Sequence, residues 1–386
     1  LHSVAALAVS LALIGCARRH GSESTGASVS TAGAASEATP EAGKVLYDRY
    51  CRLCHAADGS GYAADNAPSL VSKTFLESAS DEFIAHGIRV GRPNTAMGAY
   101  GKDRGGPLDE RAIKALVAFL RTKGPKPLKL SHYTVNGDPG RGAQHYEHNC
   151  KTCHGNANER GTALLIDNPE LLASASPEFL RYAIVNGRPP TAMPAFENKL
   201  SAGEIDDLLA WLQSRSPKGY VSPKVANPTV PDNLPVVTNP KGKPPEFTLR
   251  DDRYVAAEQV KRAFDQKRRM VIVDARSPAD WIQFRIPGAI SLPYHDKDRF
   301  DRIPNDGTWV IAYCACPHHA SGEIVDALRA RKYPNTAVLD EGILVWKDRG
   351  YPLEGEAAPK SPPPGTSAPK AAPAKAPPGK ITSPPK

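Results

Sequence analysis

Five residues, Cys51-Arg52-Leu53-Cys54-His55, recur later in the chain as Cys150-Lys151-Thr152-Cys153-His154, and no other feature restricts the molecule so strongly. Two thiols separated by two residues and followed by histidine can add across both vinyl groups of a haem while the imidazole ligates its iron. A structural zinc site needs further Cys or His close by, and neither copy supplies a second Cys pair of its own. The pattern therefore implies two covalently attached haem c groups. Cys51, Cys54, Cys150 and Cys153 are the attachment thiols, and His55 and His154 the iron ligands.

The likeness between the two copies extends beyond the motif. Gly43 and Tyr47 stand in the same relation to Cys51 as Gly142 and Tyr146 do to Cys150. Downstream, Asn66-Ala67-Pro68-Ser69-Leu70 is set against Asp167-Asn168-Pro169-Glu170-Leu171, and GRPNTAM (91–97) against GRPPTAM (187–193). Of the three Met in the chain, two fall at one place in this repeat. A thioether is a soft ligand suited to the sixth position of a haem iron, which nominates Met97 and Met193. Each copy closes on an amphipathic helix, 109–123 and 201–215. Ile113, Leu116, Val117 and Leu120 in the first, and Ile205, Leu208, Leu209 and Leu212 in the second, recur at spacings of three and four.

On these residues both copies resemble class I cytochrome c domains, over about 41–123 and 137–216. The resemblance implies an all-α fold in which an N-terminal helix crosses a C-terminal one and a long loop brings the methionine. By the same resemblance Gly43 and Gly142 lie at the crossing, facing Phe119 and Trp211. Pro68 and Pro169 would hold the ring N–H of the ligand histidine through their carbonyls. Arg92 and Arg188 are candidates for pairing with haem propionates, or are solvated loop residues.

A different pattern follows residues 217–248, where eight Pro between 217 and 247 and little periodicity suggest an extended spacer. The β-branched runs 270–273 and 309–313 alternate with a helical stretch over 321–332, which implies a parallel sheet covered by helices. Val273-Asp274-Ala275-Arg276, Ile286-Pro287-Gly288-Ala289-Ile290, Tyr313-Cys314, Asp340-Glu341-Gly342 and Val345-Trp346 occur in the order expected of a rhodanese-like domain. That resemblance covers roughly 249–354. It implies an α/β fold with a reactive thiol, Cys314, at the carboxyl end of a strand, where loop N–H groups and a helix N-terminus can stabilise an anionic sulfur. The loop Ala315-Cys316-Pro317-His318-His319-Ala320 departs from the family's usual glycine and arginine, so thiosulfate sulfurtransferase activity does not follow from the fold. Cys316 is open to three readings: a resolving thiol for Cys314, a metal ligand with His318 and His319, or a bystander. Asp274 and Arg276 are read as residues that fix loops.

The ends of the chain are read from composition. Residues 4–15 form an apolar run too short to span a bilayer, and Leu13-Ile14-Gly15-Cys16 resembles a bacterial lipoprotein box. This implies a signal peptide over 1–16 and a lipid anchor on Cys16, followed by a flexible tether over 17–40. A short linker spans 124–136, and a Pro, Ala and Lys-rich tail, expected to be disordered, covers 355–386. Net charge is +8, yet no basic run with interleaved aromatics occurs, which argues against nucleic acid as a partner.

The expected molecule is thus a multidomain protein, two all-α cytochrome c domains followed by an α/β rhodanese-like domain. It would be exported to the periplasmic side of a bacterial cell envelope and exchange single electrons with donor and acceptor redox proteins. An inorganic sulfur substrate would be engaged at Cys314. The alternatives are a sulfurtransferase docked to a respiratory partner through its cytochrome domains, and a shuttle whose rhodanese fold is an inactive binding module.

Overall fold

The computed structural model of the chain describes residues 38–156, 159–315 and 318–358. The expected leader with Cys16, the tether through residue 37, Cys316 and the tail from residue 359 lie outside the described residues. Among the described residues no helix is long and apolar enough to cross a membrane.

The first copy opens with α1, Pro40–Tyr50, which begins where Thr39 accepts from the Ala42 N–H and Pro40 occupies the first turn. A short helix α2, Arg52–His55, carries the motif. The span read as a long loop instead folds into α3, Lys73–Ser78, and α4, Asp81–Val90. The copy closes with α5, Glu110–Arg121, capped by Asp109. The second copy repeats the order: α6, Pro139–Asn149; α7, Lys151–His154; α8, Pro169–Ser174; α9, Pro177–Asn186; and α10, Ala202–Arg215. Ser80 and Ser176 cap helices α4 and α9, each with an acidic first turn, and were their available signal.

In each copy the first and last helices cross with almost no gap. A Cβ on Gly43 would lie 2.7 Å from Phe119 Cβ and collide with the Ala115 carbonyl; one on Gly142 would lie 2.8 Å from Trp211 Cβ and collide with that of Asp207. The expected positions of both glycines therefore hold. Tyr47 packs with Phe119, and Tyr146 stacks on Trp211 with ring centroids 4.1 Å apart. The copies also meet each other. Ser72 Oγ, at the start of α3, donates to the Pro189 carbonyl at 3.0 Å, and Asn168 Nδ2, at the start of α8, donates to the Pro93 carbonyl at 2.9 Å.

The third domain is a five-stranded parallel sheet in the order β1-β5-β4-β2-β3. Its strands are β1, Tyr254–Val255; β2, Met270–Asp274; β3, Ile290–Ser291; β4, Trp309–Tyr313; and β5, Thr336–Leu339. Between them run α11, Ala257–Asp265; α12, Pro278–Gln283; and α13, His319–Ala330; with α14, Gly342–Asp348, after β5. Every residue of β2 is buried, as a strand covered on both faces requires. Two apolar clusters cover the sheet, one around Ile272, Ile311 and Trp346, the other around Val273, Ala312 and Leu328.

The segment 217–248 runs extended but is tied down along its length. Tyr220 and Ser222 hydroxyls donate to the buried Glu170 carboxylate at 3.1 and 2.7 Å. Val236 and Val237 pack on the sheet, and Thr238 pairs with Met270 as an antiparallel bridge. Proline-rich composition gives an extended backbone, but it does not reveal whether that backbone has found partners.

Candidate functional site

The two motifs are built alike. Each motif's first cysteine closes the preceding helix: the Cys51 N–H donates to the Tyr47 carbonyl at 2.9 Å, and the Cys150 N–H to that of Tyr146 at 2.9 Å. The tyrosine hydroxyls then cross to the far side of the motif, Tyr47 to the Ala56 carbonyl and Tyr146 to that of Gly155, both at 2.7 Å. Ala56 and Gly155 adopt φ of 65° and 64°, which turns the chain away directly after each histidine.

His55 Nδ1 lies 2.9 Å from the Pro68 carbonyl and His154 Nδ1 lies 2.7 Å from the Leu164 carbonyl. A carbonyl can only accept, so Nδ1 carries the proton in both rings and Nε2 keeps its lone pair for a metal. Burial pushes both imidazoles below the usual histidine value and holds them neutral. Pro169 does not do in the second copy what Pro68 does in the first. The accepting carbonyl comes thirteen residues after His55 but only ten after His154, so the second loop is shorter, and Pro169 falls in the first turn of α8. Leu164 occupies the role because only a backbone carbonyl is needed, and any residue supplies one.

The methionine loops share one turn. The Arg92 N–H donates to the Met97 carbonyl at 2.7 Å and the Arg188 N–H to that of Met193 at 3.0 Å. Thr95 and Thr191 hydroxyls accept from the Met97 and Met193 N–H groups at 3.1 and 3.3 Å. Gly91 and Gly187 sit at φ of 72° and 64°, where a side chain would meet the Met97 or Met193 carbonyl at 2.6 Å. Tyr100 brings the first loop to its motif, its hydroxyl donating to the Tyr50 carbonyl at 3.2 Å. Phe196 and Cys150 both pack against the apolar cluster of the second copy.

Arg92 and Arg188 are half-buried. Burial lowers both guanidinium pKa values to about 10, and they lie over the rings of Phe83 and Phe179. Among the described residues neither makes an ion pair, an arrangement that suits a ligand bearing carboxylates. Each copy thus supplies a pair of thiols, a neutral imidazole with Nε2 available, a thioether and a half-buried cation, groups of the kinds that suit haem c. Burial pushes the Cys51 thiol up to about 12 and Cys150 to about 11, so both are neutral before any attachment.

Cys314 follows β4 directly and precedes α13. It is 1% exposed, and its Sγ lies 3.2 Å from Ser321 Oγ in the first turn of that helix. Its carbonyl accepts from the Ile343 N–H at 3.0 Å, with Gly342 at φ 71° letting α14 approach. His318 Nε2 is held 2.7 Å from Asp340 Oδ1 and its ring packs on Tyr254. Asp274 and Arg276 form a buried pair: Nη2 lies 2.7 Å from the carboxylate and also donates to the Phe284 carbonyl, while the Tyr313 hydroxyl donates to Asp274 at 2.9 Å. The pair thereby ties the segment after β2 to Phe284 and to Tyr313 of β4.

Comparison with known proteins agrees with this division. Residues 38–120 and 137–212 match the family described as cytochrome c oxidase, cbb3-type, subunit III, and residues 256–349 match the rhodanese-like domain. The chain is 29% identical over 209 residues to the cytochrome bc1 complex cytochrome c subunit of Mycobacterium tuberculosis, which covers 50% of this chain and 71% of that protein. It is 30% identical over 183 residues to the cbb3-type cytochrome c oxidase subunit FixP of Bradyrhizobium, 45% of this chain and 59% of that one. Over 87 residues it is 30% identical to cytochrome c6 of Gloeothece citriformis, 22% of this chain and 77% of that protein. A cytochrome c domain implies covalently bound haem c and electron transfer. The chain belongs to the c-type cytochromes and carries a rhodanese-like domain behind its cytochrome region.

Proposed function

We propose that the protein is an exported electron carrier with two haem c groups, joined to a domain that handles sulfur at Cys314. Haem bound at each motif would supply a reversible one-electron iron couple. Cys51 with Cys54, and Cys150 with Cys153, would form the thioether attachments; His55 with Met97, and His154 with Met193, would supply the iron ligands. The observation that carries this reading is the duplication itself. In both copies a carbonyl fixes the histidine tautomer, a tyrosine spans the motif, and a threonine-held turn presents the methionine. Histidine and methionine together would leave the iron no open position for oxygen or peroxide, which favours relay over catalysis at the iron. The chain's own task is to hold the ligands and keep water out.

Relatives named as subunits of a bc1 complex and a cbb3 oxidase support respiratory proteins as donor and acceptor. The box ending at Cys16 supports a lipid anchor on the periplasmic side of a bacterial envelope. An inorganic sulfur substrate is supported by the position of Cys314 at the carboxyl end of the parallel sheet. The test is the haem stoichiometry and redox titration of the mature, full-length protein. Two low-spin haems per chain are expected, and a colourless or single-haem protein overturns the reading. For the sulfur part, the oxidised protein is mixed with sulfide, thiosulfate or polysulfide. Equal rates of haem reduction in the parent and Cys314→Ser would remove Cys314 from the function.

A further inference from the structure

The two copies present the same face to different surroundings, and their sequences differ accordingly. In the first copy Leu53, the apolar spacer of the motif, and Ala96, beside Met97, pack against the cluster that contains Cys314 and Ala320. Ala96 also reaches the cluster on the other side of the sheet, which contains Ala315. Around this patch the Tyr294 hydroxyl donates to the Tyr50 carbonyl at 2.8 Å, and Lys347 Nζ donates to Asn94 Oδ1 at 2.7 Å. Gly98 is close enough that a Cβ there would lie 2.8 Å from Ser277 Oγ. In the second copy Thr152 stands where the first has Leu53, and Pro194 where it has Gly98. Thr152, Cys153, Ala192 and Pro194 are all exposed. An apolar residue and a glycine thus occur where the face is covered, and a threonine and a proline where it is open.

We propose that the first motif's face is a dedicated seat for the Cys314 end of the rhodanese-like domain, so that the charge state of Cys314 is felt by the group bound at the first motif and not by that at the second. This rests on the two-haem reading above. The physical reason is screening. Across a packed, water-free contact a charge acts through a low effective dielectric, whereas a centre whose face opens to solvent is shielded by water and ions. Cys314 is almost wholly buried and belongs to the cluster on which Leu53 and Ala96 pack.

The test uses the full-length, haem-loaded protein in a Cys316→Ser background and compares the midpoint potentials of both haems in Cys314→Ser and Cys314→Asp. Where the Asp variant folds poorly, Ser321→Asp places a negative charge beside Cys314, whose Sγ lies 3.2 Å from Ser321 Oγ. The expected result is that one potential falls while the other stays, with Met97→His identifying the responding haem as the first. Leu53→Lys should abolish the response and Thr152→Lys should leave it intact. If both potentials move together, if neither moves, or if the response survives Leu53→Lys, the proposal is overturned while the two-haem reading stands. A haem count below two per chain overturns both.

Discussion

The rings of Phe83 and Phe179 meet with centroids 4.5 Å apart and planes inclined at 40°, and the two residues hold the same place in their copies. Each follows an N-cap serine, Ser80 or Ser176, to whose hydroxyl its own N–H donates. With the reciprocal bonds from Ser72 to Pro189 and from Asn168 to Pro93, the contact relates the two copies by an approximate two-fold. A double-mutant cycle of Phe83→Leu and Phe179→Leu is expected to give a coupling of about 1 kcal/mol in denaturant unfolding. A coupling of zero would mean that the copies do not associate through these rings.

The helix crossings give a sharper test. Gly43→Ala and Gly142→Ala each place a methyl group against a backbone carbonyl of the partner helix, with an expected cost of about 2 kcal/mol or more. Gly203, early in α10, has nothing within 4 Å of its would-be Cβ. Gly203→Ala should therefore be neutral or stabilising by up to about 1 kcal/mol through helix propensity. Thermal unfolding of the three variants separates packing from propensity.

These two sites differ in how far they can be read from the sequence. The glycines and the motif residues are legible because their spacing to a neighbouring Cys is short and repeated, so chain geometry alone fixes their relation. Phe83 and Phe179 are not legible, because their contact is made between copies and leaves no periodic trace. The assignment of Pro169 failed for a related reason: alignment by residue type favours proline, whereas the fold requires only a carbonyl, which Leu164 supplies. The seating of Leu53 and Ala96 on the sheet end is likewise a tertiary fact. Its traces in the sequence are the Leu53 to Thr152 and Gly98 to Pro194 differences between the copies.

Removing a methionine should leave the haem in place, since the thioether bonds do not depend on it. Met97→Ala and Met193→Ala are each expected to retain two haems per chain and to change the optical spectrum of only one. An unchanged spectrum in either variant would exclude that methionine as a ligand.

In the third domain Arg276 is 5% and Asp274 0% exposed. Arg276→Met would leave a buried carboxylate with only the Tyr313 hydroxyl and the Arg276 N–H as donors. The expected loss is about 3–5 kcal/mol, the usual cost of stripping one partner from a buried pair. The double change Arg276→Met with Asp274→Asn should recover part of it. Urea unfolding followed by tryptophan fluorescence would report the difference, and a cost below about 1 kcal/mol would show that the pair does not fix the loops.

Acid should weaken the second copy through Asp207. Its carboxylate accepts from Arg141 Nε and Nη2 at 2.7 and 2.8 Å and from the Asp138 N–H at 2.6 Å. These donors hold its pKa below the usual value, the Arg141 hydrogen bond foremost. The stabilisation is therefore complete above the unfolded value, about 3.9, and is lost as pH falls through the lower, folded one. The first copy has Ala115 at the matching place in its closing helix, so this contribution belongs to the second alone. Denaturant midpoints measured downward from about pH 5 should fall in the parent. Asp207→Asn should start lower and fall less steeply, and parallel curves for the two proteins would assign the acid sensitivity to other carboxylates.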